Sequence, residues 1–135
     1  MKNVKKNSVR SQSNKIPLDY IIVSILSNLS YDITTIPTAK PQLHSFFFNL
    51  RSKYKILSKV PFETFYYPYS EYVEQAFDNL ELSSLINKLN PVMQKYQLKK
   101  KELKQFYENV IKSKLGKKDV KDLEKLSKEF ADYMH

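Results

Sequence analysis

The chain of 135 residues contains a single glycine, Gly116, and this scarcity excludes several kinds of fold and site. Phosphate-cradling loops and dinucleotide fingerprints need several glycines, because the backbone must approach the ligand closely. Tight two-residue hairpins of the Asn-Gly kind are also excluded, because their turns need glycine and the sequence contains no such dipeptide. The sequence therefore favours helices over a β-rich fold.

Apolar residues recur at helical spacing in five segments, which predicts five helices. In chain order these cover residues 17–29, 38–54, 70–81, 99–115 and the segment from 119 onward. Thr38 and Ser70 are the expected N-caps of the second and third helices, because their hydroxyls accept bonds from free N–H groups of the first turn. Gly116 is expected to stop the fourth helix.

Strand signals are few. Val92, Gln94, Tyr96 and Leu98 are spaced by two with Lys95 and Gln97 between them, which predicts one short strand, although Met93 breaks the pattern. Residues 30–37 are expected to form a loop. We therefore predict a mostly α, winged-helix-like fold with about five helices and at most a short two-stranded β-hairpin. Residues 1–15 are predicted to be a flexible basic tail, and 16–135 a single helical domain.

The formal net charge of +9 is unevenly distributed along the chain. Residues 60–87 carry five acidic and no basic groups, whereas 1–59 and 88–118 each carry ten basic and two acidic groups. The candidate phosphate-backbone contacts in the basic flanks are Arg51, Lys53, Lys99, Lys100, Lys101 and Lys104. The alternative is that these lysines are solvated surface residues that keep the protein soluble.

The third helix is acidic, and this argues against the simplest model of DNA reading. In a DNA-reading winged helix the third helix enters the major groove, where its carboxylates would be repelled by phosphates. Any DNA binding would therefore depend on the basic flanks and would be weakly sequence-selective.

Aromatic residues are densest between residues 62 and 72. Tyr66, Tyr67, Tyr69 and Tyr72 are the candidate partner interface, because tyrosine supplies contact area at low entropic cost. Core packing is the alternative for these tyrosines, and it is the expectation for Phe62 and Phe65.

The chain lacks the residue patterns of a catalytic or metal site. It has no cysteine, and His44 has only His135 as a companion, so we predict no catalytic, metal or cofactor-binding residues. His44 lies next to the apolar face of the second helix and is expected to be a partly buried structural histidine. An enzyme without a recognisable motif is the least favoured reading.

Several short segments resemble the Panacea family, which includes phage-associated proteins and antitoxins. Lys40, Leu43, His44, Phe46 and Phe47 resemble the family's lysine- and leucine-bearing helix that ends in aromatics. Residues 66–70 resemble its Tyr-Gly-Pro-Tyr-Ser turn, although Tyr67 stands where the family usually has glycine. Tyr96 and Leu98, before the fourth helix, are similar to its strand-and-helix continuation. The resemblance covers about residues 17–115 and implies a regulatory or toxin-neutralising interaction module.

The expected function is a non-enzymatic regulatory module, of an antitoxin-like kind, that binds a protein partner or a second copy of itself. The alternative from another class is a DNA-binding transcriptional regulator that uses the basic flanks. No stretch approaches the ~20 apolar residues that cross a bilayer, and Asp19 heads the first apolar run. We therefore expect a cytoplasmic protein without a membrane partner.

Overall fold

The computed structural model describes residues 16–89, 92 and 94–134, so the predicted tail at 1–15 lies outside it. Within these residues the chain forms five α-helices: α1 (Leu18–Ser27), α2 (Lys40–Leu50), α3 (Glu71–Leu82), α4 (Lys100–Phe106) and α5 (Lys117–Met134). Its strands are β1 (Thr35–Pro37), β2 (Glu63–Thr64), β3 (Pro68–Tyr69), β4 (Ile86–Lys88) and β5 (Lys95–Leu98). The prediction of a mostly helical chain with five helices is confirmed.

The main sheet is antiparallel and has the order β1–β5–β4, so the expectation of at most two strands was wrong. The sequence also did not predict β2 and β3, which form a separate two-stranded sheet. The missed strand of the main sheet is β1, which pairs Ile36 with Tyr96. Only Ile36 of its three residues is buried, and a three-residue strand is too short to show alternation. Pro37 ends β1, as expected for a proline confined to an edge strand.

α1 forms the centre of the core. Every residue from Ile21 to Leu26 is buried, and the helix packs against α3, α4 and α5. Ser24 is accommodated because its hydroxyl donates to the Tyr20 carbonyl at 2.7 Å. From α5, the Ser127 hydroxyl donates to the Ile25 carbonyl at 2.7 Å, which ties the last helix to the first.

α2 is shorter than predicted at both ends. Thr38 is not its cap, because the Thr38 N–H donates to the Gln94 carbonyl at 3.2 Å and so continues the sheet pairing. The helix begins at Lys40 and ends at Leu50, and a separate 3₁₀ turn covers Lys55–Leu57. Leu43, Phe46 and Phe47 form its buried apolar face.

α4 continues into a π turn (Tyr107–Ile111) and a 3₁₀ turn (Lys112–Lys114). The expected role of Gly116 as the stop of this helix was wrong. Gly116 has no positive φ, and its carbonyl accepts from the Val120 N–H at 3.1 Å, so it opens α5 instead. No helix in the described part of the chain is both long enough and apolar enough to span a bilayer.

The predicted start of α3 is confirmed. The Ser70 hydroxyl accepts from the backbone N–H groups of Tyr72 and Val73 at 3.1 and 3.3 Å. Val73, Ala76, Phe77 and Leu80 form its buried face.

Replacing Ser70 by Ala removes this cap and should lower the free energy of unfolding by about 1 kcal/mol. Ser70→Gly is the matched control and should cost only a few tenths of a kcal/mol. Urea unfolding of the three proteins measures both values. Equal stability of Ser70→Ala and the parent would show that the cap contributes nothing.

Candidate functional site

Residues 63–69, which we call the aromatic hairpin, form a small projection between α2 and α3. β2 and β3 pair Glu63 with Tyr69 and Thr64 with Pro68, leaving residues 65–67 as the tip. Phe65 is 85% exposed and Tyr66 is fully exposed. Large apolar side chains at a projecting tip are typical of an interaction site rather than of core packing.

One face of α2 holds the base of this hairpin. Its members are His44 and Phe48, and Arg51 continues the same spacing directly after the last residue of the helix. The Phe48 and Phe62 rings meet edge-on with centroids 5.3 Å apart. The Arg51 guanidinium lies over both rings, at 4.6 and 5.1 Å, and donates to the Val60 carbonyl at 3.2 Å.

His44 holds the other side of the hairpin and is 2% exposed. Its ring stacks on Tyr69 with centroids 4.7 Å apart and planes 8° apart. The Ser70 N–H donates to Nδ1 at 2.9 Å, and Nε2 lies 3.3 Å from Glu74 Oε1. The expectation of a structural histidine is confirmed, although burial is nearly complete rather than partial.

Glu74 joins α2 to α3. Its Oε2 lies 3.0 Å from Lys40 Nζ, while Oε1 contacts His44. Burial acts to raise the pKa of Glu74, but the hydrogen bonds from Lys40 and His44 outweigh it and hold that pKa below its usual value. For His44, burial is the largest influence and lowers the pKa despite the Glu74 carboxylate. This cluster borders a cleft of about 260 Å³.

The four predicted interface tyrosines divide into two groups. Tyr66 and Tyr72 are exposed, whereas Tyr67 and Tyr69 are half-buried and pack against His44. The expectation that Phe65 lies in the core was wrong, because Phe65 occupies the tip rather than a strand; Phe62 is half-buried as part of the base. Tyr67 has no positive φ, so the turn does not need glycine there.

The exposed face of α3 keeps the acidic character that the sequence predicts. Glu71, Gln75, Asp78 and Leu82 are exposed and follow one another at helical spacing. Of the five acidic residues between 60 and 87, only Glu74 forms an ion pair within the described part of the chain. This face therefore presents uncompensated negative charge beside the hairpin.

Three of the six candidate phosphate contacts are engaged elsewhere. Arg51 packs under the hairpin, and Lys53 lies 3.0 Å from Glu129, which also accepts from the Tyr54 hydroxyl. Lys100 donates to the Leu29 and Ser30 carbonyls, at 3.4 and 3.1 Å, and so caps the turn that follows α1. Lys101 and Lys104 are exposed, and Lys99 is half-buried.

Residues 16–89, 92 and 94–134 contain no group of three or more acidic or histidine side chains that could hold a metal ion. Searches with the sequence and the structure return no matching family model, curated protein or solved structure. The arrangement of residues is therefore the basis for any functional assignment.

Replacing Lys100 by Met should lower the free energy of unfolding by about 1 kcal/mol, because two carbonyls in the turn that follows α1 lose their charged donor. Lys101→Met is the matched control, since Lys101 is exposed, and should change stability by less than about 0.5 kcal/mol. Thermal or urea unfolding measures the difference. Equal effects of the two substitutions would refute the capping role.

Proposed function

We propose that this chain is a non-enzymatic, regulatory protein-interaction module whose partner protein docks on the aromatic hairpin. The observation that carries the proposal is the contrast within the hairpin. Its base is fixed by His44 and Phe48 of α2 and by Arg51 directly after the helix, whereas Phe65 and Tyr66 at the tip are exposed. Rigid aromatic anchors on a fixed support are the usual form of an interface hot spot.

The charge around the hairpin supports a particular kind of partner. Glu63 is exposed in the hairpin itself, and Glu71 and Asp78 are exposed on the neighbouring helix. A complementary surface would offer an apolar pocket for the two aromatic tips and basic residues at its rim. The partner is therefore a different protein with that chemistry, rather than a polyanion.

The order of elements supports a winged-helix assignment. α1, β1, α2 and α3 precede the β4–β5 pair, and β1 joins that pair in an antiparallel sheet. This order is consistent with the Panacea resemblance and with an antitoxin-like regulator acting in the cytoplasm. The inference to a toxin partner rests on the resemblance alone, whereas the docking surface rests on the exposed hairpin.

DNA binding through the basic flanks is the second candidate, and the exposed Lys101 and Lys104 favour it. Arg51, Lys53 and Lys100 have local partners, so fewer groups are available for phosphates than the sequence suggests. We rank this candidate second because the exposed face of α3 is acidic.

The docking model predicts that Phe65→Ser combined with Tyr66→Ser weakens partner binding at least about tenfold, since aromatic anchors carry most of the energy of an interface. A photo-crosslinking amino acid at position 66, used in extracts of the native host, identifies the partner. Calorimetric titration with the purified partner then measures affinity. The melting temperature should stay unchanged, because neither side chain is packed.

Tyr31 and Val92 are the matched controls, since both are exposed apolar residues outside the hairpin. Substituting them by Ser should leave affinity within about twofold of the parent, as expected outside a hot spot. An unchanged affinity of the hairpin variant would reject this docking site. Self-association of the isolated chain in sedimentation velocity, lost in the hairpin variant, would identify a second copy as the occupant instead.

The DNA-binding candidate predicts weak binding that declines with salt, with a log–log slope of about −5 for six phosphate contacts. Lys101→Glu combined with Lys104→Glu should make this slope shallower by about two. Fluorescence anisotropy with duplex DNA measures it, and Lys121→Glu with Lys125→Glu is the control on α5. Absence of salt-dependent binding at low salt would remove this candidate.

A further inference from the structure

Both ring nitrogens of His44 are used, and this defines its protonation state. Nδ1 accepts from the Ser70 N–H at 2.9 Å, so it carries no proton. The proton of the neutral ring therefore sits on Nε2, which donates to Glu74 Oε1 at 3.3 Å. A doubly protonated ring has no acceptor, so it cannot keep the bond from Ser70.

Loss of that bond would affect the joint between the hairpin and α3. Ser70 is 2% exposed, so its N–H would be buried without an acceptor and would face a new N–H on His44. The neighbouring Tyr69 stacks on the same ring, and Tyr67 meets it edge-on at 6.3 Å. A change at one ring therefore reaches both Tyr69 in β3 and Tyr67 in the tip.

The charged and titratable groups that face His44 come from three elements. Glu74 on α3 favours the protonated ring, whereas Lys40 on α2 opposes it and shares the same carboxylate at 3.0 Å. Tyr67 and Tyr69 contribute neutral hydroxyl-bearing rings from the hairpin. Burial is the largest influence and lowers the pKa of His44, so the neutral ring is the state that the fold selects.

We propose that neutral His44 latches the aromatic hairpin onto α2, and that protonation of His44 in acidic solution opens this latch and frees the hairpin. The latch is a property of the isolated chain. Only its consequence, release of the partner on acidification, rests on the proposed function.

The pH range follows from the direction of the shift. The latch contributes fully above about pH 6.5, the ordinary pKa of histidine in an unfolded chain. Because the folded-state pKa is lower, this contribution is lost as pH falls through the folded value. The pKa values of Glu74 and Glu129 lie below their ordinary 4.5, so their contributions are lost only in more acidic solution.

Nuclear magnetic resonance of the isolated chain, titrated from about pH 7.5 to pH 5, tests the latch in the range where histidine changes charge. The His44 ring, the Ser70 amide and the Tyr69 ring should titrate with one shared midpoint. Protection of the Ser70 amide, corrected for intrinsic exchange, should fall by up to about tenfold per pH unit as the pH falls from about 6.5 towards that midpoint. If His44 becomes protonated while the Ser70 amide and Tyr69 ring signals stay unchanged, the proposal is overturned. It is also overturned if those two signals change while His44 stays neutral throughout the titration.

Two substitutions distinguish the roles of the two ring nitrogens of His44. His44→Asn keeps an acceptor near the Nδ1 position and cannot titrate, so its Ser70 and Tyr69 signals should be independent of pH. His44→Gln reaches towards Glu74 but offers Ser70 no acceptor, so its hairpin should already be free at pH 7.5. If either variant fails to fold, the titration of the parent chain still decides.

The partner experiment distinguishes the two proposals. If the latch operates and the partner docks on the hairpin, affinity should fall severalfold between pH 7 and pH 5.5 for the parent but not for His44→Asn. A working latch with a partner that binds elsewhere would reject the docking site and leave the latch intact. If partner binding depends on the hairpin but its affinity and the Ser70 signals are both independent of pH, the latch alone is rejected.

Discussion

The burial of α1 on all sides is the constraint on which the rest of the structure depends. From Ile21 to Leu26 no side chain reaches solvent, so every face of the helix needs a covering element. α3, α4 and α5 supply that cover, and Lys100 satisfies the carbonyls that follow its last turn. A fully apolar helix of this kind is stable only inside a packed domain.

α2 links the core to the surface hairpin, because one of its faces packs into the core and another contacts the hairpin. Leu43, Phe46 and Phe47 enter the core, while His44, Phe48 and Arg51 carry the hairpin. The hairpin has only two pairs of strand residues, which would be marginal alone. Its stability comes from stacking on α2 and from the bond between Ser70 and His44. A single helix thus connects the core to the exposed aromatic tip.

Periodicity predicted the helices well, because five long apolar patterns and the Ser70 cap are local features that later packing did not override. It failed where the deciding partner is distant in sequence. β1 exists because residues about sixty positions later pair with it. The tyrosines could be recognised as a cluster, but only the position of His44 separates those that pack from those that project. Charge counting likewise could not foresee that Arg51 and Lys100 bind carbonyls.

Because glycine is scarce, two other residues next to the main sheet must adopt a strained backbone conformation. Ser84 and Gln94 take left-handed conformations, with φ of 60° and 50°, at the starts of the segments leading into β4 and β5. Such positions usually hold glycine, and other residues store strain there. Ser84 is stabilised by the turn that ends α3, where the Leu85 N–H donates to the Leu80 carbonyl at 2.9 Å. The chain therefore uses non-glycine residues at these left-handed positions, and at Ser84 a backbone hydrogen bond of the adjoining turn stabilises the conformation.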